Sequence, residues 1–143
     1  MSFLLDTCCI SEFTKKKTNE GVLDWLNVND QEFMFLSVLT LGEIQKGISL
    51  LSDSPRKKQI QNWLLKDLPH QFDGKIIDID FHVCQVWGEL QAKAKSENFT
   101  LPAIDGLLAA TAITYDLSMV TRKGKDFDRI NVEVVNPWSN QSR

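Results

Sequence analysis

The chain has 143 residues, 43% hydrophobic and 24% charged, and its 19 acidic against 16 basic side chains give a formal charge of −3. A chain this size buries roughly 68–70% of the surface its unfolded form exposes, so its core needs no disulfide or metal staple; disorder, a collagen-like fibre and a cysteine-stapled scaffold are excluded. The acid excess argues against coating nucleic acid through bulk positive charge, though not against an enzyme that acts on it.

Three cysteines, with Cys8 and Cys9 adjacent, fit a reducing compartment better than a disulfide framework. Met1-Ser2-Phe3-Leu4-Leu5-Asp6 is too short an apolar run for a secretory signal, and no run has transmembrane length, so a soluble cytoplasmic protein is expected.

In chain order, Phe3-Leu4-Leu5 ending in Asp6 reads as a buried strand. Val22, Trp25 and Leu26 lie at helical spacing between Gly21 and Val28, and Phe33 to Leu36, followed by Ser37, is a second strand. Leu39 to Leu51 carries the stripe Leu41, Ile44, Ile48 and Leu51. Ser54-Pro55 opens the next helix with a cap residue and a first-turn proline; Ile60, Trp63, Leu64 and Leu68 follow, and Pro69 is expected to end it. Lys75 to Ile79 is a third strand, and Asp80 is placed to cap a long helix running to about Lys95. Pro102 begins an Ala- and Leu-rich helix from Ala103 to Tyr115, before strands at Leu117 to Val120 and Val132 to Val135. Short apolar runs alternating with helical periods predict an α/β fold with a parallel sheet. One domain is expected over residues 1–138, with a polar, frayed tail at 139–143.

The carboxylates stand at informative places in that plan. Asp6 ends the first strand, and open parallel sheets bind ligands outside the carboxyl ends of their strands. Glu43 lies in the first turns of the helix after the second strand, Asp105 in the first turn of an otherwise apolar helix, and Asp126 just beyond the fourth strand. Taken singly, each also reads as a helix-cap, first-turn or loop acid, worth about 0.3–1 kcal/mol against a helix dipole. Together they are a cluster of like charges that needs neutralising, and oxygen ligands without nearby His or Cys point to Mg²⁺ or Mn²⁺. Such an ion suits hydrolysis of a phosphodiester, because it lowers the pKa of bound water and offsets charge on the phosphate. Cys8 and Cys9 open no Cys-x5-Arg loop, His70 and His82 lie outside these segments, and Lys15-Lys16-Lys17 reads as a solvated run or an RNA guide.

The segments Leu4-Leu5-Asp6-Thr7-Cys8-Cys9-Ile10-Ser11-Glu12, Leu36 to Ile48, Ile104-Asp105-Gly106-Leu107-Leu108-Ala109-Ala110-Thr111-Ala112, Val120-Thr121-Arg122 with Lys125-Asp126-Phe127, and Val135-Asn136-Pro137-Trp138 resemble in order and spacing the signature of PIN-domain ribonucleases. The resemblance is to the VapC-type toxins of toxin-antitoxin pairs, particularly the FitB-like branch. It implies a three-layer α/β domain whose five-stranded, mostly parallel central sheet is flanked by helices. It also implies a Mg²⁺- or Mn²⁺-dependent endoribonuclease that pairs as a homodimer and is held inactive by an antitoxin lying in a groove beside the acids. By the same resemblance Asp6, Glu43 and Asp105 bind metal, Asp126 matches the fourth acidic position, and Thr121 matches a hydroxyl that positions water or an acid. The chain departs from the pattern at Cys8, where Asn is usual, and at Lys123, where Asn or Asp is usual; a lysine there either repels a metal or holds the scissile phosphate. The alternative is a catalytically inactive PIN-like module that binds RNA or protein. A phosphatase on small substrates ranks lower, for want of a phosphate-cradling glycine loop.

Overall fold

The computed structural model describes residues 1–138; the expected tail at 139–143 lies outside the described residues. Five strands, β1 (Phe3–Leu5), β2 (Met34–Ser37), β3 (Ile76–Ile77), β4 (Ser118–Val120) and β5 (Val134–Val135), form one sheet in the order β3-β2-β1-β4-β5. All four pairings are parallel. The helices are α1 (Thr7–Ser11), α2 (Glu20–Val28), α3 (Val38–Ser49), α4 (Pro55–Asn62), α5 (Leu68–Gln71), α6 (Phe81–Ser96) and α7 (Ala103–Thr114). The expected α/β architecture is therefore present; β1 coincides with its apolar run, β2 is shifted by one residue, and β3, β4 and β5 are shorter than theirs. Among the described residues no helix is long and apolar enough to cross a membrane.

Side chains alternate along a strand, so the central strand β1 feeds both faces of the sheet. Phe3 and Leu5 join Ile10, Val22, Leu36, Ile48, Leu68 and Phe72 on one side. Leu4, fully buried, joins Leu108, Ala109, Met119 and Phe127 on the other. Truncating Leu4 or Leu5 to Ala removes side chains with 0% exposure, at a cost of about 2–5 kcal/mol.

The expected cap chemistry holds at two helix starts. Ser54 accepts from the Lys57 N–H at 3.1 Å and Asp80 from the Val83 N–H at 2.9 Å. Two helices end in a way the residues did not announce: Asn98 after α6 and Asp116 after α7 take left-handed backbone, φ 58° and 55°. There the N–H groups of Phe99 and Leu117 reach back to the carbonyls of Ala94 and Ala112, at 3.0 and 2.8 Å, a helix ending more often served by glycine.

The expected stop at Pro69 is overturned. Beyond Asn62 the chain passes through a π-helical segment, Trp63–Asp67, and continues helically to Gln71. The Leu68 N–H bonds to the Trp63 carbonyl, five residues back. Proline in a regular helix lacks the N–H and presses on the carbonyl four residues earlier. The wider π turn just before it leaves Pro69 in the first turn of a new helical segment, where no donor is required.

Candidate active site

Asp6 ends β1 and begins α1. Its N–H extends the strand pairing to the Val120 carbonyl at 2.9 Å, and its own carbonyl accepts the Cys9 N–H at 3.0 Å. Both oxygens of its 1%-exposed side chain are oriented: Oδ1 accepts the Thr7 N–H at 2.7 Å, and Oδ2 accepts the Thr121 hydroxyl at 2.7 Å. The helix-cap reading of Asp6 is thus true, yet it accounts for one oxygen only.

Thr121 follows β4, and its N–H bonds to the Val135 carbonyl at 3.0 Å. Fully buried, its hydroxyl gives its proton to Asp6 and accepts the Lys123 N–H at 3.0 Å. That hydroxyl therefore positions an acid.

Glu43 comes from α3, which starts directly at the end of β2 with Ser37 as its cap, accepting the Leu39 N–H at 3.1 Å. The Thr7 hydroxyl donates to Glu43 Oε1 at 2.5 Å and lies 3.2 Å from the Thr40 hydroxyl. Thr7 thus bridges the two acids, its amide on Asp6 and its side chain on Glu43. Thr40 is fully buried and went unnoticed in sequence; only its place one helical turn before Glu43 could have suggested it.

Asp105 stands in the first turn of α7 and is 8% exposed. Its helix lies so close to α6 that a side-chain carbon on Gly106 would come within 3.1 Å of Trp87 Nε1 and Gln91 Nε2. A residue without a Cβ is what permits that approach, and with it the position of Asp105. The Lys123 ammonium lies 3.1 Å from Asp105 Oδ1. Burial alone pushes that ammonium's pKa down, but the hydrogen bond to Asp105 and the charges of Asp6 and Asp105 prevail and hold it above its ordinary value.

Asp126 is different. It sits exposed on the 3₁₀ turn Gly124–Phe127, and none of the hydrogen bonds or ion pairs among the described residues ties its side chain to Asp6, Glu43 or Asp105. The site thus draws Asp6, Glu43, Asp105 and Thr121 into one linked set, with Thr7, Thr40 and Lys123, at the carboxyl ends of β1, β2 and β4.

Cys8 borders this set, its Sγ 3.7 Å from Asp6 Oδ2 and 3.8 Å from the Thr121 hydroxyl. Burial, then the Asp6 charge, pushes its thiol up, and burial carries the neighbouring Cys9 up to about 12. Neither is poised as a thiolate nucleophile. Of the lysine run, Lys15 is bound to Glu12 at 2.6 Å, while Lys16 and Lys17 are exposed. Arg122 stacks over the Trp138 ring, 5.0 Å from its centroid.

The donors suit a hard divalent cation. They are carboxylate and hydroxyl oxygens only, and a protein cation already stands in beside Asp105. Among the described residues no three His, Cys, Asp or Glu side chains are gathered closely enough to share one ion as they stand, so binding one requires the lysine and at least one acid to move.

A model of the PIN-domain family matches residues 3–133. Toxin FitB of Neisseria gonorrhoeae is 33% identical over 135 residues, covering 94% of this chain and 97% of that protein. VapC ribonuclease Y4jK of Sinorhizobium fredii is 28% identical over 135 residues, covering 94% and 96%. The crystal structure of FitAcB from Neisseria gonorrhoeae superposes with a TM-score of 0.89 at 33% identity, covering 95% of this chain and 98% of that one.

Proposed function

The chain belongs to the PIN-domain family, and from that premise we propose that it is the toxin of a type II toxin-antitoxin pair, a cytoplasmic Mg²⁺- or Mn²⁺-dependent endoribonuclease. The observation that carries the reading is the orientation of Asp6 at the end of the central strand, fixed through Thr121 from β4 and joined through Thr7 to Glu43. A carboxylate made only to cap a helix needs no partner 115 positions away in sequence.

Asp6, Glu43 and Asp105 would hold the ion, with Asp126 as the proposed fourth ligand. The bound ion would supply a water of lowered pKa and charge stabilisation at the scissile phosphate. The chain supplies orientation: the Thr7 amide and the Thr121 hydroxyl fix the Asp6 oxygens, and the Thr7 hydroxyl turns Glu43 toward them. Fixing the Asp6 and Glu43 oxygens beforehand lessens the reorganisation that the reaction requires. Exposed Lys16, Lys17 and Lys125 would offer positive charge to an RNA backbone.

The partner reading is a homodimer bound by an antitoxin. Glu43 separates two clefts: one of about 240 Å³, with Ile44, Ile48, Leu51 and Ile60 among its walls, and one of about 400 Å³ with Leu39 and Ile104. An amphipathic segment seated in either would lie against Glu43.

The test is cleavage of a mixed RNA by the purified chain. Cleavage that requires Mg²⁺ or Mn²⁺, stops with EDTA and is lost in Asp6→Asn supports the reading; cleavage that survives EDTA, or a parent rate in Asp6→Asn, overturns it. The second reading, an inactive module that binds RNA or protein, is favoured by the Lys123–Asp105 ion pair, and it predicts no cleavage under any metal.

A further inference from the structure

Asp6 and Asp105 are both nearly buried, 1% and 8% exposed, on separate elements of the same site. Two such carboxylates repel unless a cation lies near. In this chain that cation is built in, since the Lys123 ammonium bonds Asp105 at 3.1 Å and feels the charge of Asp6 as well. Its root is fixed by the site itself: the Lys123 N–H bonds to the Thr121 hydroxyl at 3.0 Å, and that hydroxyl donates to Asp6 at 2.7 Å. The turn that follows is pinned by Phe127, 1% exposed. The lysine side chain is 43% exposed, so its head can turn out to water at little more than the cost of one ion pair.

We propose that Lys123 is an internal counter-cation of the acidic site, which a divalent ion displaces on binding, so that the chain takes its metal by exchange rather than into an uncompensated cluster. This rests on the reading of Asp6 and Asp105 as metal ligands. Its consequence is a site that stays partly neutralised without metal and binds metal more weakly than its acids alone would.

The experiment measures Mn²⁺ affinity, by the electron spin resonance of free Mn²⁺ at constant pH and ionic strength. The proteins are the wild type, Lys123→Asn, Lys123→Arg and Asp6→Asn, each checked for its fold by circular dichroism. Removing a single positive charge at a half-exposed position raises affinity about five- to tenfold in Lys123→Asn, and Lys123→Arg stays within about twofold of the parent. In the parent itself, adding Mn²⁺ raises the acylation of Lys123 read by mass spectrometry, a result that requires no variant.

Equal or weaker Mn²⁺ binding in Lys123→Asn, with binding still lost in Asp6→Asn, overturns the proposal and leaves the metal site standing. If that variant has instead lost affinity for single-stranded RNA in the absence of metal, the lysine is a phosphate ligand and the proposal fails. Unchanged binding in Asp6→Asn removes the metal-site reading, and this proposal with it.

Discussion

The short helix α1 has a buried acid at each end, Asp6 at its start and Glu12 just past its finish, each 1% exposed. Their surroundings are opposite. Glu12 is closed by its own neighbourhood: Lys15 donates to Oε2 at 2.6 Å and the Asn19 N–H to Oε1 at 2.8 Å. Burial pushes its carboxyl up, but these bonds and the lysine charge outweigh it and hold the pKa below the ordinary 4.5. Asp6 is oriented from across the sheet by Thr121, and Lys123, which feels its charge, is bound to a different acid, Asp105. A carboxylate offers about four acceptor sites; at Glu12 the donors are a lysine and an amide from the next few residues, whereas at Asp6 they are the neutral Thr7 amide and the Thr121 hydroxyl from across the sheet, with the Cys8 thiol beside them. Equal burial therefore does not separate a structural acid from a proposed metal ligand; the origin and identity of the donors do.

The sharpest break in that comparison is exchange of the two acids' consequences. Asp6→Asn or Asp105→Asn lowers metal-dependent RNA cleavage by on the order of 10²–10³-fold, while the unfolding free energy from urea titration changes by no more than about 1 kcal/mol. Glu12→Ala does the reverse, losing about 2–3 kcal/mol of stability by orphaning the Asn19 N–H and Lys15, with cleavage within about threefold of the parent at a temperature where it is folded. A Glu12→Ala protein that is stable but inactive would dissolve the distinction.

Thr121→Val sharpens it further. Loss of one buried hydroxyl frees both the Asp6 oxygen and the Lys123 N–H, so stability drops by about 1–2 kcal/mol and cleavage by about tenfold, measured on the same preparation. Restoration of cleavage by Thr121→Ser identifies orientation of Asp6 as the cause.

The acid limb of stability reports Glu12. Its folded pKa is depressed, so its contribution is fully present above the ordinary value of 4.5 and is lost as pH falls through the lower folded value. Melting temperatures of the parent decline in that window, and Glu12→Gln, less stable at neutral pH, shows a shallower decline. The smallest effect is in thiol labelling of the native protein. Exposed Cys84 reacts at once; Cys8 reacts slowly because burial and Asp6 disfavour its thiolate; and Cys9, pushed up to about 12, reacts only on unfolding. Release of the Cys8 reaction in Asp6→Asn ties that thiol to the site.

Much of this was legible in the chain because local rules decide it. The apolar run Phe3 to Leu5, the stripe of α3 and the caps at Ser54 and Asp80 act through neighbours a few residues apart, and the elements stand where those patterns put them, save that α3 ends at Ser49 and leaves Leu51 41% exposed beyond it. Pro69 misled because its usual effect on a regular helix is averted by a π turn, Trp63–Asp67, with no sequence mark of its own. Asp105 and Asp6 were legible as candidates from their places at a helix start and a strand end. Glu12, lying within the same motif, was given no role, because nothing in its spacing shows that Lys15 and Asn19 fold back over it.

By itself, then, the sequence determined the alternation of strands and helices, the parallel sheet and the short list of acids, since periodicity and capping are properties of contiguous residues. Only the tertiary structure decided which acids share a site, that Thr121 aims Asp6, that Lys123 neutralises Asp105 and that Asp126 stands apart on an exposed turn. The reason is physical: a side chain's charge and hydrogen-bonding state depend on partners brought near by folding, here across 115 residues for Asp6 and 18 for Asp105, and no local pattern records that distance.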